Sequence, residues 1–284
     1  MSLRSMLFAP AAHERHAARA LSGADGADAA ILDLEDAVLP ADKPAARAAV
    51  RRLLAGRAGG PSAWVRINAM TTPHAYEDLV AVVGPGLAGI VLPKVEAGTE
   101  VATADWLLGH LERLAGLPAG AIALMPSVET ARGLSAVPAM ACPRARRIMF
   151  GALDFSLDVG MAPVASREGV YWARAQLAVA CRAAGLLPPI DTVFPDLQDA
   201  EGLAAEAAQA RRLGFGGKAC VHPHQVAVVH AAFAPTVQEV AQARRILEAF
   251  AAAGTGAIRV DGELVDEPVL ARARQVLAQA GEAG

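Results

Sequence analysis

No apolar run in this 284-residue chain approaches the ~20 residues that a membrane-spanning helix needs. The 54% of residues that are hydrophobic, mostly Ala, Leu and Val, are therefore read as the core of a soluble protein. Cysteine is scarce: Cys142, Cys181 and Cys220 are far apart, odd in number and without zinc-ligand spacing, a pattern that suits a reducing cytoplasm. Cys220 precedes His222 by two residues and would share its strand face, as a catalytic thiol or as a small core residue. Charge of one sign is also lacking. A net charge of −3, with Lys and Arg scattered rather than gathered in one stripe, is too small to imply a nucleic-acid partner, and none is expected. GLAG, GFGG and VGPG are turn-like, and no Walker or dinucleotide fingerprint follows a strand, which argues against a nucleotide triphosphate or nicotinamide cofactor on a standard loop. The opening MSLRSMLFAPAAHERH has no long apolar region with a small-residue cleavage site, and is read as a first strand rather than a secretory signal.

What the chain does have is alternation. Eight short β-type runs recur: SMLFAP (5–10), AAILDLE (29–35), AWVRIN (63–68), GIVLPK (89–94), AIALMPS (121–127), RIMFGA (147–152), IDTVF (190–194) and GKACVH (217–222). Between them lie Ala-rich stretches such as KPAARAAVRRLLAG, with apolar residues at helical spacing and a glycine stop. Strands alternating with helices make a parallel sheet, and eight units predict an α/β fold of the closed (β/α)8, or TIM-barrel, type; an open doubly wound sheet is the alternative. A further helical stretch, a Gly-bounded β-type segment GAIRVDGELVDEP and a last helix follow. The expected organisation is a catalytic barrel over 1–235 and a C-terminal helical extension over 236–284, packing on the barrel or on a neighbouring subunit.

In such a barrel, chemistry collects where the strands exit into the βα loops. Polar residues sit there: run two exits into Asp33, Glu35 and Asp36, run three carries Arg66 and Asn68, and run four ends at Lys94 with Glu96 beyond. Glu129 follows run five, Asp154 run six and Asp196 run seven, while Lys218 and His222 belong to run eight. Glu129 and Asp154 are the most informative pair, because a carboxylate at the rim of a core needs a partner. Two converging carboxylates suit a hard divalent cation; capping of the following helices is the alternative. The Arg66 guanidinium could hold a protein acid or a substrate acid, and Lys94 and Lys218 share that ambiguity. Asp33, Glu35 and Asp36 would repel one another unless matched by cations, for which Lys43 and Arg47 on the next helix are the expected partners.

In order, RSMLFAP, ILDLEDAVLPADKPAAR, WVRIN with TTP, IVLPKVE, VETARG, FGALDFSLDVG, IDTVFPDLQDAEGL, GFGGKACVHPHQ and DGELVDEPV resemble the citrate lyase beta-subunit-like family over nearly the whole chain. That family lies among aldolase-like barrels that include malyl-CoA and citramalyl-CoA lyases. The resemblance implies Mg²⁺-dependent cleavage of a 3-hydroxy-acyl thioester into a 2-oxo acid such as oxaloacetate and an acetyl thioester, or the reverse condensation. It implies that Glu129 and Asp154 bind Mg²⁺, and that Arg66 and Lys94 contact substrate. The amides around Leu153 and Asp154 would receive a substrate carboxylate. Arg66 and Glu35 would join the catalytic set with Asp266, the acid that this family delivers onto a neighbouring subunit's site in a trimer or a dimer of trimers. One departure stands out: the first motif continues as Pro10, Ala11, Ala12, His13, Glu14, Arg15 rather than Pro-Gly and a basic residue. Contacts to the thioester tail would fall to His13, Arg15 or Arg19, leaving coenzyme A and an acyl carrier protein both open. Thioester hydrolysis, malate-synthase-like condensation, a non-catalytic subunit of a citrate lyase complex and an enolase-type metal barrel are the competing functions.

Overall fold

Eight parallel strands form from the eight apolar runs: β1 (Ser5–Pro10), β2 (Ala29–Asp33), β3 (Ser62–Arg66), β4 (Gly89–Leu92), β5 (Ala123–Val128), β6 (Met149–Phe150), β7 (Ile190–Asp191) and β8 (Gly217–Cys220). They come from a computed structural model that describes residues 3–57, 59–162, 166–253 and 256–281. Each strand pairs with the next, and β8 closes on β1 through Ser5↔Lys218 and Leu7↔Cys220, giving a barrel. Parallel pairing follows from the intervening helices, which carry the chain back to the starting edge of the sheet each time. β2, β4 and β8 are buried along their whole length, as expected of strands packed against helices outside and side chains inside.

The barrel interior is filled by Met6, Ala29, Ile31, Trp64, Val91, Met125, Met149 and Ile190. Trp64 fits because residue 89 has no side chain: a Cβ on Gly89 would lie 2.3 Å from the indole ring. The outer faces are covered by helices whose small residues allow close approach. In Lys43–Ala55, for example, Ala46, Ala49, Val50 and Leu54 form one buried stripe.

Several strands end before the apolar runs do. AAILDLE is strand only through Asp33, GIVLPK through Leu92 and IDTVF through Asp191. Ile67, Val95 and Phe194 stay buried after ladder pairing has stopped, so hydrophobicity outlasts the sheet at the barrel mouth. Lys218 corrects the expected rim. Its neighbour Ala219 faces the interior, whereas Lys218 is fully buried on the helix side, 2.7 Å from Asp191 Oδ2 and 2.6 Å from Glu206 Oε1. Arg174 completes this cluster, 2.8 Å from Asp191 Oδ1 and 3.0 Å from Glu206 Oε1. Cys220 is buried, and its thiol is pushed up to about 12 by that burial, which disfavours a nucleophilic thiolate.

The chain divides into two compact units, Met1–His230 and Ala231–Gly284. In the second, β9 (Ile258–Val260) and β10 (Glu263–Val265) pair antiparallel through a tight turn at Asp261 and Gly262, both at positive φ. Ala243 and Ile246 of helix Val237–Ala253 pack with Val265 and with Leu270, Ala273 and Leu277 of helix Glu267–Gln279 to form that unit's own core.

Candidate active site

The loops at the strand exits surround a cavity of about 300 Å³. Its charged side comes from β2, β3 and β5: Asp33, Asp36, Arg66 and Glu129 line it, joined by Asp154. Its apolar side comes from β1, β6, β7 and β8, through Phe8, Met149, Phe150, Val193, Ala219 and Val221.

Register explains the central ion pair. Asp33 and Arg66 lie opposite each other at the ends of β2 and β3. Arg66 Nε donates to Asp33 Oδ1 at 2.8 Å, and Arg66 Nη2 donates to Asp33 Oδ2 at 2.6 Å. This two-point fork fixes the guanidinium, whose carbon sits 5.0 Å from the centroid of the Phe8 ring. Nη1 remains, 3.1 Å from Glu35 Oε2 without hydrogen-bond geometry and 3.8 Å from Asp36 Oδ2. Lys94 Nζ meets Glu35 Oε1 at 2.8 Å and Asp36 Oδ1 at 3.3 Å. Lys94 does so from a left-handed backbone, φ 53°, a strained conformation for a residue with a side chain.

The partners expected for the acidic cluster are therefore corrected. Lys43 Nζ donates to the carbonyl oxygens of Leu34 and Glu35, not to carboxylates. Arg47 is committed to Asp78 and Glu77. Helical spacing placed those cations nearby, but barrel closure brought Arg66 and Lys94 closer.

Glu129 follows β5 directly and is 3% exposed. It does not cap the next helix: Thr130 Oγ1 accepts the Gly133 amide at 3.0 Å in that role. Glu129 Oε2 is buried with no hydrogen-bond partner among the described residues. Burial pushes this carboxyl up to about 7; Glu35 and Asp154 add to the rise, while the Ser127 hydroxyl and Arg66 oppose it. Gly151 makes the seat possible, because a Cβ there would stand 2.5 Å from Glu129 Cγ. Asp154 opens into the cavity from the first turn of helix Ala152–Asp158, whose start is held by the Ala152 amide donating to Thr192 Oγ1 at 3.0 Å. Asp154 makes no capping bond to that helix.

A divalent cation of the kind the family resemblance implies fits this donor set. It would satisfy the orphaned Glu129 oxygen and relieve the repulsion among Glu129, Asp154 and Glu35. No group of three or more His, Cys, Asp or Glu among the described residues is arranged as a metal cage. A hard cation does not need one, since two carboxylates with water and substrate oxygens complete its shell.

Of the residues expected from sequence, Arg66, Leu153, Asp154 and Glu129 come together on one cavity. Glu35 and Lys94 are not among the residues lining it: Glu35 touches Arg66, and Lys94 touches Glu35. Asp196 is exposed and accepts the Gln198 amide. Asp266 lies in the second unit, at the N-cap position of helix Glu267–Gln279 and without a capping bond. Sequence reasoning did not single out Ser127, Thr192, Phe8 or Gly151. The one signal was the two-residue spacing of Ser127 from Glu129 at the end of β5; Phe8, Gly151 and Thr192 come from other strands or their exits.

A second cavity of about 640 Å³ shares Phe8, Pro10 and Val221 with the first, and Arg19, His16, His222 and His224 also line it. Arg19 is paired there with Asp25 at 2.7 Å. His13 and Arg15 are exposed and do not line it.

A model of the HpcH/HpaI aldolase/citrate lyase family matches residues 4–223. The chain belongs to that family. A second model, for carbon–carbon bond lyases of the TIM-barrel fold, matches residues 182–283. Within the family, the chain is 39% identical to a citrate lyase subunit beta-like protein of Deinococcus radiodurans, over 97% of this chain and 96% of that protein. It is 35% identical to an L-malyl-CoA/beta-methylmalyl-CoA lyase of Cereibacter sphaeroides, over 98% and 94%. Among solved structures it resembles CitE from Mycobacterium tuberculosis in complex with magnesium, acetoacetate and coenzyme A, at 33% identity and a TM-score of 0.80 over 99% of both chains.

Proposed function

We propose that this family member is a Mg²⁺-dependent carbon–carbon lyase. It cleaves a 3-hydroxy-acyl thioester of the citryl, malyl or citramalyl type into a 2-oxo acid, oxaloacetate or a related one, and an acetyl thioester, or runs the reverse condensation. One observation carries the reading: a buried Glu129 oxygen with no hydrogen-bond partner among the described residues, on a residue that lines a cavity with Asp154 and Arg66. The named activities of the two relatives, and the magnesium bound by the CitE neighbour, support it.

Glu129 and Asp154 would hold Mg²⁺, which supplies Lewis-acid polarisation of the substrate oxygen and a template for the 2-oxo acid. Arg66 Nη1 holds the carboxylate of the 2-oxo acid portion, with the rest of the guanidinium locked by Asp33 so that little reorganisation accompanies the reaction. Leu153 and Asp154 present backbone amides to a substrate carboxylate, as the resemblance implies. Glu35 and Lys94 act through Arg66, fixing the charge around Nη1. The apolar wall limits water at the acetyl carbon, where an enolate forms when the carbon–carbon bond breaks. As the carbon–carbon bond breaks, the substrate hydroxyl gives its proton to solvent and its oxygen becomes the oxo oxygen, while a protonated Asp266, delivered by a neighbouring subunit of a homotrimer or hexamer, gives the acetyl carbon its proton; both transfers reverse in the condensation direction.

The arm of the thioester, coenzyme A or an acyl carrier, leaves through the adjoining cavity past Arg19 and His16. A cytoplasmic setting is supported by three unpaired cysteines. No helix among the described residues is long and apolar enough to cross a membrane.

The test is incubation with Mg²⁺ and malyl-, citramalyl- and citryl-CoA, following release of the 2-oxo acid. Release from at least one, abolished by a chelator, is the expected result. No release from any of them, in protein that still binds Mg²⁺, contradicts the lyase assignment.

A further inference from the structure

The turn that carries Asp154 lacks the usual means of holding itself in place. Helix Ala152–Asp158 starts from Gly151, which has no side chain to cap it. A side chain there would displace Glu129, since a Cβ at position 151 would stand 2.5 Å from Glu129 Cγ. The seat of one expected metal ligand thus removes the cap from the helix that carries the other. β6 gives that helix little support: it is two residues long, and its ladder with β7 consists of the single pair Met149↔Ile190.

The missing cap comes from the next strand. Thr192, buried at the exit of β7, accepts the Ala152 amide at 3.0 Å through Oγ1 and lines the same cavity as Asp154. The amides of Leu153 and Asp154, next in the turn, have no acceptor among the described residues. Thr192 is itself anchored through its neighbour. Asp191 is fully buried, gripped by Arg174 Nε at 2.8 Å and by Lys218 Nζ at 2.7 Å. The buried ion network on the helix side of the barrel therefore ends, through one peptide and one hydroxyl, on the turn that carries Asp154.

We propose that Thr192 is a positioning residue of the metal site. Its hydroxyl holds the Ala152 amide and so fixes the first turn of helix Ala152–Asp158, keeping the Asp154 carboxylate aimed at the cation that it shares with Glu129. The proposal rests on the reading of Glu129 and Asp154 as the Mg²⁺ ligands of a lyase, and adds a residue that acts on them through Ala152. Without the hydroxyl, the Ala152 amide loses its acceptor and the turn is free to rotate.

Three substitutions in the full chain test this. Thr192→Val keeps the side-chain shape and removes the acceptor, Thr192→Ala removes it without adding a methyl group, and Thr192→Ser keeps the hydroxyl. Calorimetric titration with Mg²⁺ alone should show affinity weakened by about tenfold in Thr192→Val and Thr192→Ala, the loss expected when a metal ligand loses its supporting hydrogen bond, and restored in Thr192→Ser. In the metal-free parent, residue-by-residue amide hydrogen exchange should find Ala152 protected and Leu153 and Asp154 fast, a result that needs no variant to fold. Unchanged Mg²⁺ affinity in folded Thr192→Val or Thr192→Ala, a Thr192→Ser protein as impaired as Thr192→Val, or an Ala152 amide that exchanges as fast as that of Leu153 overturns the proposal. No Mg²⁺ binding by the parent overturns the metal reading and the proposal together. Weakened Mg²⁺ binding in Thr192→Val with rescue by Thr192→Ser, in a parent that releases no 2-oxo acid from any of the three thioesters, upholds the role of Thr192 and contradicts the lyase reading.

Discussion

Glu129 shows how much one residue's surroundings decide. Its carboxyl is pushed up to about 7 by burial, reinforced by Glu35 and Asp154, from an ordinary value of 4.5. Without a cation, the folded chain keeps a proton that the unfolded chain releases, so stability is full below the ordinary value and falls as pH rises towards the folded one. Glu129→Gln cannot ionise and escapes that fall. In chelator, urea unfolding at about pH 5 and about pH 8 should show the variant gaining on the parent by on the order of 2 kcal/mol; a constant difference would mean that Glu129 ionises as an ordinary surface acid. Glu129, Asp154 and Arg66 were legible in the sequence because each stands at or just past the end of an apolar run. The partners of Glu35 were not, since Lys94 reaches it across barrel neighbours rather than along a helix.

At the scale of elements, the eight strands and their order were readable from apolar runs and intervening helical spacing. Their ends were not. Apolar side chains such as Ile67 and Phe194 continue into the loops, so the pattern cannot tell a paired strand from a buried loop. The same ambiguity misplaced Lys218: alternation along β8 puts Ala219 inside and Lys218 between the barrel wall and two helices. There, Asp191 and Glu206 meet Arg174 and Lys218, and every charge depends on the others. Nearby cations hold the Asp191 carboxyl below the usual carboxylate range, although burial alone would raise it. Asp191→Ala strips one of the two acids from two buried cations and should cost about 3–5 kcal/mol by urea unfolding. A change smaller than about 1 kcal/mol would show that water or rearrangement compensates the cluster.

For the whole molecule, barrel closure is what turns scattered residues into a site: acids from β2 and β5, a cation from β3 and an apolar wall from β6, β7 and β8 meet only because β8 returns to β1. The C-terminal unit carries Asp266, whose proposed role on a neighbouring subunit predicts complementation. Asp266→Ala and Arg66→Ala proteins, each inactive, should regain a fraction of activity when their subunits exchange; no recovery in subunits shown to mix would confine Asp266 to its own chain or remove it from the reaction. The central claim, that Glu129 and Asp154 are the metal ligands of a lyase, is tested most directly by calorimetric titration of Mg²⁺ into the parent, Glu129→Ala and Asp154→Ala proteins. Glu129→Ala and Asp154→Ala should each weaken Mg²⁺ binding by at least about tenfold, by analogy with the loss from altered metal sites. Mg²⁺ affinity unchanged in both variants would contradict the account.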